Sequence, residues 1–297
     1  MLLLTGATGL VGSALLGRLV AEGHPVRCLV RDPRRLGPQR VRVQIALGDL
    51  TDPPSFRNAM RGVDTVVHLA ASTRDQPRGS IEELAAIATW RMVEAAQRAG
   101  VERFVFFSTL GASTHHRARL FRAKALAEQA VREADMRSTV IAPSLVYAPT
   151  DRWLTMLERL SLLPVMPVSG SGRAVCQPIW ADDVADCVLA VLSDRGGTGN
   201  GSAQQRYELA GPDTLSYDEV IQTVLCSLHR ERPVIHVPTP VVSRALRLLE
   251  RVMRTNTPVT WDEAELLEAN MVSRRGVTDA QTLGVIPQPM SAVLGTG

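Results

Sequence analysis

Three glycines stand three residues apart near the start of the chain, in Thr5-Gly6-Ala7-Thr8-Gly9-Leu10-Val11-Gly12. The apolar run Leu2-Leu3-Leu4 precedes them, and an amphipathic stretch through Ala14, Leu15, Leu16, Leu19 and Val20 follows. The pattern reads as a buried strand, a tight turn and a helix. Gly6 allows the sharp turn, Gly9 leaves room for a pyrophosphate against the backbone, and Gly12 lets the helix pack close to the strand. The helix start offers N–H groups and a partial positive charge to phosphate oxygens. Gly6, Thr8, Gly9, Leu10, Val11 and Gly12 are therefore candidate dinucleotide contacts. An ordinary glycine-rich turn is the bland alternative. The strand before the glycines and the helix after them supply the context that the motif requires.

A second chemical feature is a shortage. Of 33 basic residues only one, Lys124, is lysine. Arginine does not readily lose its proton, and its planar fork substitutes poorly for a compact ammonium. A position that needed only positive charge would more readily be arginine in this chain, so Lys124 is a candidate functional residue.

The elements that would position these groups follow in order. Val26-Arg27-Cys28-Leu29-Val30 reads as a second strand and runs into Arg31-Asp32-Pro33-Arg34-Arg35. A dinucleotide site usually has an acid here to hold the adenosine ribose. A guanidinium suits a 2′-phosphate instead, so Arg31 and Arg35 favour NADP(H), with NAD(H) the other candidate. Val43 to Ala46 is a third strand, followed by Asp49 and Leu50, and Asp52-Pro53 reads as the cap and first residue of a helix. Thr65 to Ala71 is a fourth strand whose end, Leu69-Ala70-Ala71, should pass under the cofactor. His68, inside that apolar run, reads as a satisfied core histidine. Ile81 to Ala99 is helical and stops at Gly100. Phe104 to Phe107 is a fifth strand ending at Ser108-Thr109, and Thr139 to Ala142 is a sixth, followed by Pro143-Ser144-Leu145-Val146-Tyr147. Trp153 to Leu163 reads as a helix, and Tyr207 to Pro212 as the last sheet strand. Ser216 and Glu219 form a capping box, and Trp261 to Leu267 a further helix. Alternating strands and helices imply an α/β, doubly wound parallel sheet, with ligands at the strand C-termini.

The Thr-Gly-Ala-Thr-Gly-Leu-Val-Gly turn, the Pro-x-x-Val-Tyr stretch at Pro143–Tyr147, the strand-then-helix at Ile179–Ala185 and the closing Leu283-Gly284-Val285-Ile286-Pro287 together resemble the extended and atypical short-chain dehydrogenase/reductases. They are most similar to the subgroup that holds the NAD(P)H-binding accessory subunit of respiratory complex I and its bacterial relatives, with NmrA-like and isoflavone-reductase-like proteins further off. The resemblance covers nearly the whole chain. It implies a Rossmann-type core over 1–148 and 175–212 and a small substrate-cap lobe over 149–174 and 213–297, within a single domain over 1–297. It places Asp49 at the adenine amino group, an Asp of Asp182-Asp183 as helix cap, and Pro143, Ser144 and Val146 beside the nicotinamide.

The same family uses a Ser or Thr and a Tyr-x-x-x-Lys on one helix face. The resemblance makes Ser108 (or Thr109) the hydroxyl and Lys124 the lysine. The tyrosine position is Leu120, its neighbour Phe121 has no hydroxyl either, and Tyr147, Tyr207 and Tyr217 lie elsewhere. Three readings stand. Lys124, or His115 or His116, supplies the proton in a redox enzyme with a non-standard site; the chain binds NADP(H) without turnover, as a redox sensor or assembly subunit; or the cofactor is structural.

A net charge of +3 over 297 residues, without a basic cluster, argues against nucleic acid. Cys28, Cys176, Cys187 and Cys226 have no metal-like spacing and read as reduced and mostly buried, consistent with a cytoplasmic protein. No apolar run approaches the roughly 20 residues of a membrane span. Gly196 to Ser202 reads as a flexible surface loop. Arg244, Arg247, Arg251 and Arg254 form one stripe of a basic helix, which would suit a membrane surface or an acidic partner but reads more simply as a solvated face over a lid. Trp153, Leu154, Met166 and Trp180 suggest an apolar substrate.

Overall fold

The computed structural model describes residues 1–149, 151–193, 204–253 and 260–295, except the side chains of residue 245 and residues 248–253. In chain order it forms β1 (Leu2–Thr5), α1 (Leu10–Ala21), β2 (Val26–Val30), β3 (Gln44–Leu47), α2 (Pro53–Arg57), β4 (Thr65–His68), α3 (Ala88–Arg98), β5 (Arg103–Phe107), α4 (Arg119–Arg132) and β6 (Arg137–Pro143). There follow β7 (Val146–Tyr147), α5 (Arg152–Leu160), β8 (Met166–Ser169), β9 (Val175–Cys176), β10 (Ile179–Trp180), α6 (Ala181–Ser193) and β11 (Gln204–Leu209). The last elements are β12 (Leu215–Ser216), α7 (Tyr217–Ser227), β13 (Val234–Val237), α8 (Thr239–Met253), α9 (Trp261–Leu266), α10 (Thr278–Thr282) and α11 (Met290–Leu294).

Seven strands make one sheet in the order β11-β6-β5-β4-β1-β2-β3. Every neighbouring pair in it is parallel. Chain order reverses between β1 and β4, which leaves a crevice beyond their C-terminal ends. The side chains of β1 alternate as a strand between two helical layers must. Leu2 and Leu4 join α1 and α6 in one core, while Leu3 joins α2, α3 and α4 in the other. A third cluster, around Tyr147, Leu154, Leu157, Met166, Val220 and Ile221, is built from α5, α7 and the short strands.

Local sequence signals account for many boundaries. Gly100 takes φ +72° and closes the helix before β5. The Ser216–Glu219 capping box forms as expected, and a second one, Thr260 with Glu263, starts α9. Asp52 and Pro53 stand at the cap and first positions of α2 as expected, without a capping bond from the Asp52 carboxylate. One expected cap is corrected. Asp182 and Asp183 lie inside the first turn of α6, where Asp182 pairs with Arg18 at 3.1 Å and Asp183 accepts the Gln288 N–H at 2.8 Å. The helix expected over Ile81–Ala99 opens with a π-helical turn, Glu83–Ile87, which turns Ala85 and Ala86 toward Ala123.

Cys28, Cys176 and Cys187 are free and buried, and Cys226 is free and exposed. No helix among the described residues is long and apolar enough to cross a membrane. In the basic helix, Arg247 lies over the Trp261 ring at 4.3 Å, so this arginine belongs to the packing of α8 on α9. Arg244 is exposed. The side chain of Arg251, all of Arg254 and the Gly196–Ser202 loop lie outside the described residues.

Candidate cofactor and substrate site

The glycine turn leaves no room for side chains. Gly6 has φ +74°, and a Cβ there would sit 2.7 Å from the Ala70 nitrogen. A Cβ on Gly12 would sit 2.0 Å from the Gly6 carbonyl oxygen, so Gly12 admits α1 to the turn itself more than to the strand. The Gly9 N–H donates to that same oxygen at 2.9 Å. Gly9 precedes α1 and no side chain caps the helix, so a phosphate placed there meets the first-turn N–H groups.

A groove of about 600 Å³ runs from this turn across the ends of β1, β2 and β4. It brings together Gly6, Thr8 and Gly9, then Arg31 and Arg35, then Asp49 and Leu50, then Leu69, Ala70 and Ala71. Leu10 lines the neighbouring cavity, and Val11 and Gly12 lie behind the turn. Asp32 also lines the groove, but its Oδ1 accepts the Arg34 N–H at 3.0 Å and is spent on its own turn. Asp49 Oδ1 accepts from the Thr51 N–H at 3.0 Å and from the Thr51 hydroxyl at 2.9 Å. Partial burial raises the Asp49 pKa. The Thr51 bonds, with the charges of Arg31 and Arg78, outweigh it and hold the carboxyl below its usual range.

A second cavity, of about 610 Å³, meets the groove at Ala71, Ser72 and Gln76. Leu10, Leu145, Val146, Trp153, Met156 and Leu266 give it apolar walls. Arg74 and Glu263 pair at 2.8 Å beside it, tying α9 to the segment after β4. Two of the four apolar residues expected here are placed differently: Leu154 and Met166 are buried in the hydrophobic cluster around Tyr147, packed beneath the cavity. Trp153 lines the cavity, and Trp180 packs half-buried against that core.

The far end of the crevice is closed. Lys124 is 4% exposed. Its Nζ donates to the Phe107 carbonyl and lies 4.9 Å from the Phe106 ring centroid. Burial pushes its pKa down to about 8, against the opposing charge of Glu128. The Ser108 hydroxyl donates to Glu128 Oε1, and Glu128 Oε2 pairs with Arg132 at 2.7 Å. Leu120 packs on Ile81, Ala85, Ala86 and Ala123. Ser144 donates to the Met271 carbonyl at 2.6 Å and accepts the Gln177 N–H at 2.9 Å. Pro143 ends β6 and is buried; Val146 reaches the second cavity. His116 stacks on Phe121 at 4.4 Å and accepts the Ala118 N–H at 3.0 Å, and burial with the nearby Arg122 charge lowers its pKa. His115 is exposed. His68 is a satisfied core residue, bonded to Thr5 at 2.8 Å and Thr89 at 3.1 Å, and burial drives its pKa down to about 3.

Sequence reasoning missed Glu128, Ser72, Gln76 and the Arg74–Glu263 pair. Glu128 carried a signal, since it stands one helical turn beyond Lys124. Gln76-Pro77-Arg78-Gly79 carries turn chemistry, but nothing local says what that turn touches.

The parallel sheet, the glycine turn at its crevice and the groove define a Rossmann-type nucleotide-binding protein of the short-chain dehydrogenase/reductase and epimerase kind. The chain matches the NAD(P)H-binding domain family over residues 6–195 and belongs to it, so its cofactor is a nicotinamide dinucleotide. It is 29% identical to "NADH dehydrogenase (ubiquinone) 1 alpha subcomplex subunit 9, mitochondrial" of Arabidopsis thaliana, over 90% of this chain and 67% of that protein. It is 31% identical to the (4-alkanoyl-5-oxo-2,5-dihydrofuran-3-yl)methyl phosphate reductase of Streptomyces griseus, over 79% of this chain and 75% of that one. In fold it matches a nucleoside-diphosphate-sugar epimerase from Staphylococcus aureus with a TM-score of 0.79, at 18% identity, covering 99% of each chain.

Proposed function

We propose that the chain binds NADPH in preference to NADH and is an oxidoreductase that reduces an apolar carbonyl or enone compound held in the second cavity. The observation that carries the cofactor preference is the end of β2. Arg31 and Arg35 line the groove there, while the acid next to Arg31 in the chain, Asp32, is turned back onto the Arg34 N–H. Guanidinium N–H groups are the natural partners of a 2′-phosphate, and a free carboxylate would repel it. Gly6, Gly9 and the start of α1 would hold the pyrophosphate, Asp49 and Leu50 the adenine, and Leu69 to Ala71 would floor the groove.

The bound cofactor supplies hydride transfer. Lys124 Nζ, which lines neither cavity, would be the group that holds the accompanying proton, since no tyrosine stands in the usual place and burial brings the lysine within reach of neutral pH. Leu120 closes the tyrosine position with an apolar side chain. The apolar walls of the second cavity fit a substrate of low polarity.

One observation favours a second reading. The Ser108 hydroxyl donates to Glu128, and Lys124 donates one of its three N–H groups to the Phe107 carbonyl, both inside the protein. A chain built this way can bind the cofactor and serve as a subunit of a larger complex; its Arabidopsis relative is named as a subunit of NADH dehydrogenase. Calorimetric titration tests the binding claim common to both. We expect NADPH to bind at least about tenfold more tightly than NADH, and Arg31→Ala to remove most of that difference. Equal affinities in the unmutated protein would defeat it. Oxidation of NADPH with enone substrates separates the two readings.

A further inference from the structure

The segment from Ser72 to Gly79 bridges the two cavities, and most of its side chains reach to another element. Ser72 accepts from the Gln76 amide at 3.1 Å and donates to the Arg74 carbonyl at 2.6 Å. Arg74 pairs with Glu263 of α9. Asp75 meets Arg119 at the start of α4 at 3.0 Å. Arg78 approaches Asp49 at 3.5 Å. Gln76 and Gly79 exchange two backbone hydrogen bonds, of 2.9 and 3.1 Å, which close the turn between them. The strap is held at several points, and the Gln76 side chain leaves it from a fixed place.

Gln76 Oε1 accepts from Arg31 Nη1 at 2.7 Å. This bond spans the groove, from the strap to the end of β2. An arginine at a strand end is long and flexible, and fixing it costs rotamer entropy. A side-chain amide fixes the guanidinium through one N–H and leaves the others for a ligand. It is also neutral, so the positive charge stays available. A carboxylate in its place would fix the arginine equally well but cancel that charge.

We propose that Gln76 is the positioning residue for Arg31, and that the strap carrying it sets the preference for a 2′-phosphorylated cofactor. This rests on the assignment of Arg31 to that phosphate. The amide that Gln76 donates to Ser72 holds its carbonyl oxygen toward Arg31, so the preference depends on a residue with no phosphate contact of its own.

Equilibrium titration of the full chain with NADPH and with NADH tests this, on the unmutated protein, Arg31→Ala, Gln76→Ala, the double variant and Gln76→Glu. Gln76→Ala should weaken NADPH by about three- to tenfold and leave NADH within about twofold, a split that general damage to the loop would not produce. The double variant should bind NADPH no worse than Arg31→Ala, because the two residues act as one unit. Gln76→Glu should weaken NADPH more than Gln76→Ala does. If Arg31→Ala loses the preference while Gln76→Ala keeps it, the role of Gln76 is overturned and the phosphate assignment stands. If the unmutated protein shows no preference, the assignment itself fails and the proposal with it.

Discussion

The two ends of the crevice are built on opposite terms. At the glycine-turn end the backbone is cleared of side chains and charged groups line an open groove: Gly6 and Gly12 tolerate no Cβ, and Arg31, Arg35 and Asp49 are on its walls. At the other end Lys124 and Ser108 are 4% and 3% exposed, each bonded to the protein. A groove with charge on its walls is built to bind, and its chemistry comes from the ligand. A buried ammonium is costly, and its retention as the sole lysine among 33 basic residues points to a role that arginine cannot fill. The contrast separates binding from turnover: changes at one end should move affinity, and changes at the other should move proton chemistry.

The largest effect expected is at the glycine turn. Gly12→Val places carbon against the Gly6 oxygen, where no side chain can yield. Overpacking of this kind costs roughly 1–3 kcal/mol or more in stability. We expect titration of the folded variant to show NADPH and NADH binding lost together, and denaturant unfolding to show the stability loss. Retained affinity for either cofactor would mean that the turn does not hold the pyrophosphate.

The second effect concerns pH. Lys124 has a pKa of about 8 in the folded chain, against the ordinary lysine value of 10.5. Between those values the unfolded chain binds the proton more tightly, so stability rises with pH there and is flat below pH 8. We expect the unmutated protein to gain roughly 3 kcal/mol relative to Lys124→Met across that window, read from urea midpoints. Parallel pH profiles would show that the ammonium is not buried as described.

A smaller effect tests the proposed assignment of Asp49 to the adenine. Asp49→Ala should weaken NADPH and NADH equally, by about tenfold, because the adenine is common to both. Arg31→Ala should discriminate between them. If Asp49→Ala also discriminated, Asp49 would act on the phosphate through Arg31 and not on the base.

The geometry of the glycine-turn end was legible in the sequence because its signals are local. The glycine spacing lies within seven residues, β2 leads directly into Arg31, and the capping box at Ser216 closes over three. One cap assignment failed for a local reason as well: Asp182 and Asp183 fall inside the first turn of α6, which starts one residue earlier, at Ala181. The closed end and the strap were not legible. Arg31 meets Gln76 across 45 residues and Arg74 meets Glu263 across 189, and no periodicity records such partners. Leu154 and Met166 were apolar in either role, and only packing could place them beneath the cavity.

The separation of the two ends is tested most directly on Lys124→Met, by measuring NADPH affinity and NADPH oxidation with an apolar enone on the same preparation. We expect affinity within about tenfold of the unmutated protein, since an ammonium bonded to Phe107 contributes little more than one charged hydrogen bond to the cofactor. Oxidation, measurable in the unmutated protein, should be abolished. Oxidation at the unmutated rate in Lys124→Met would contradict this division of labour, because the proton would then come from another group.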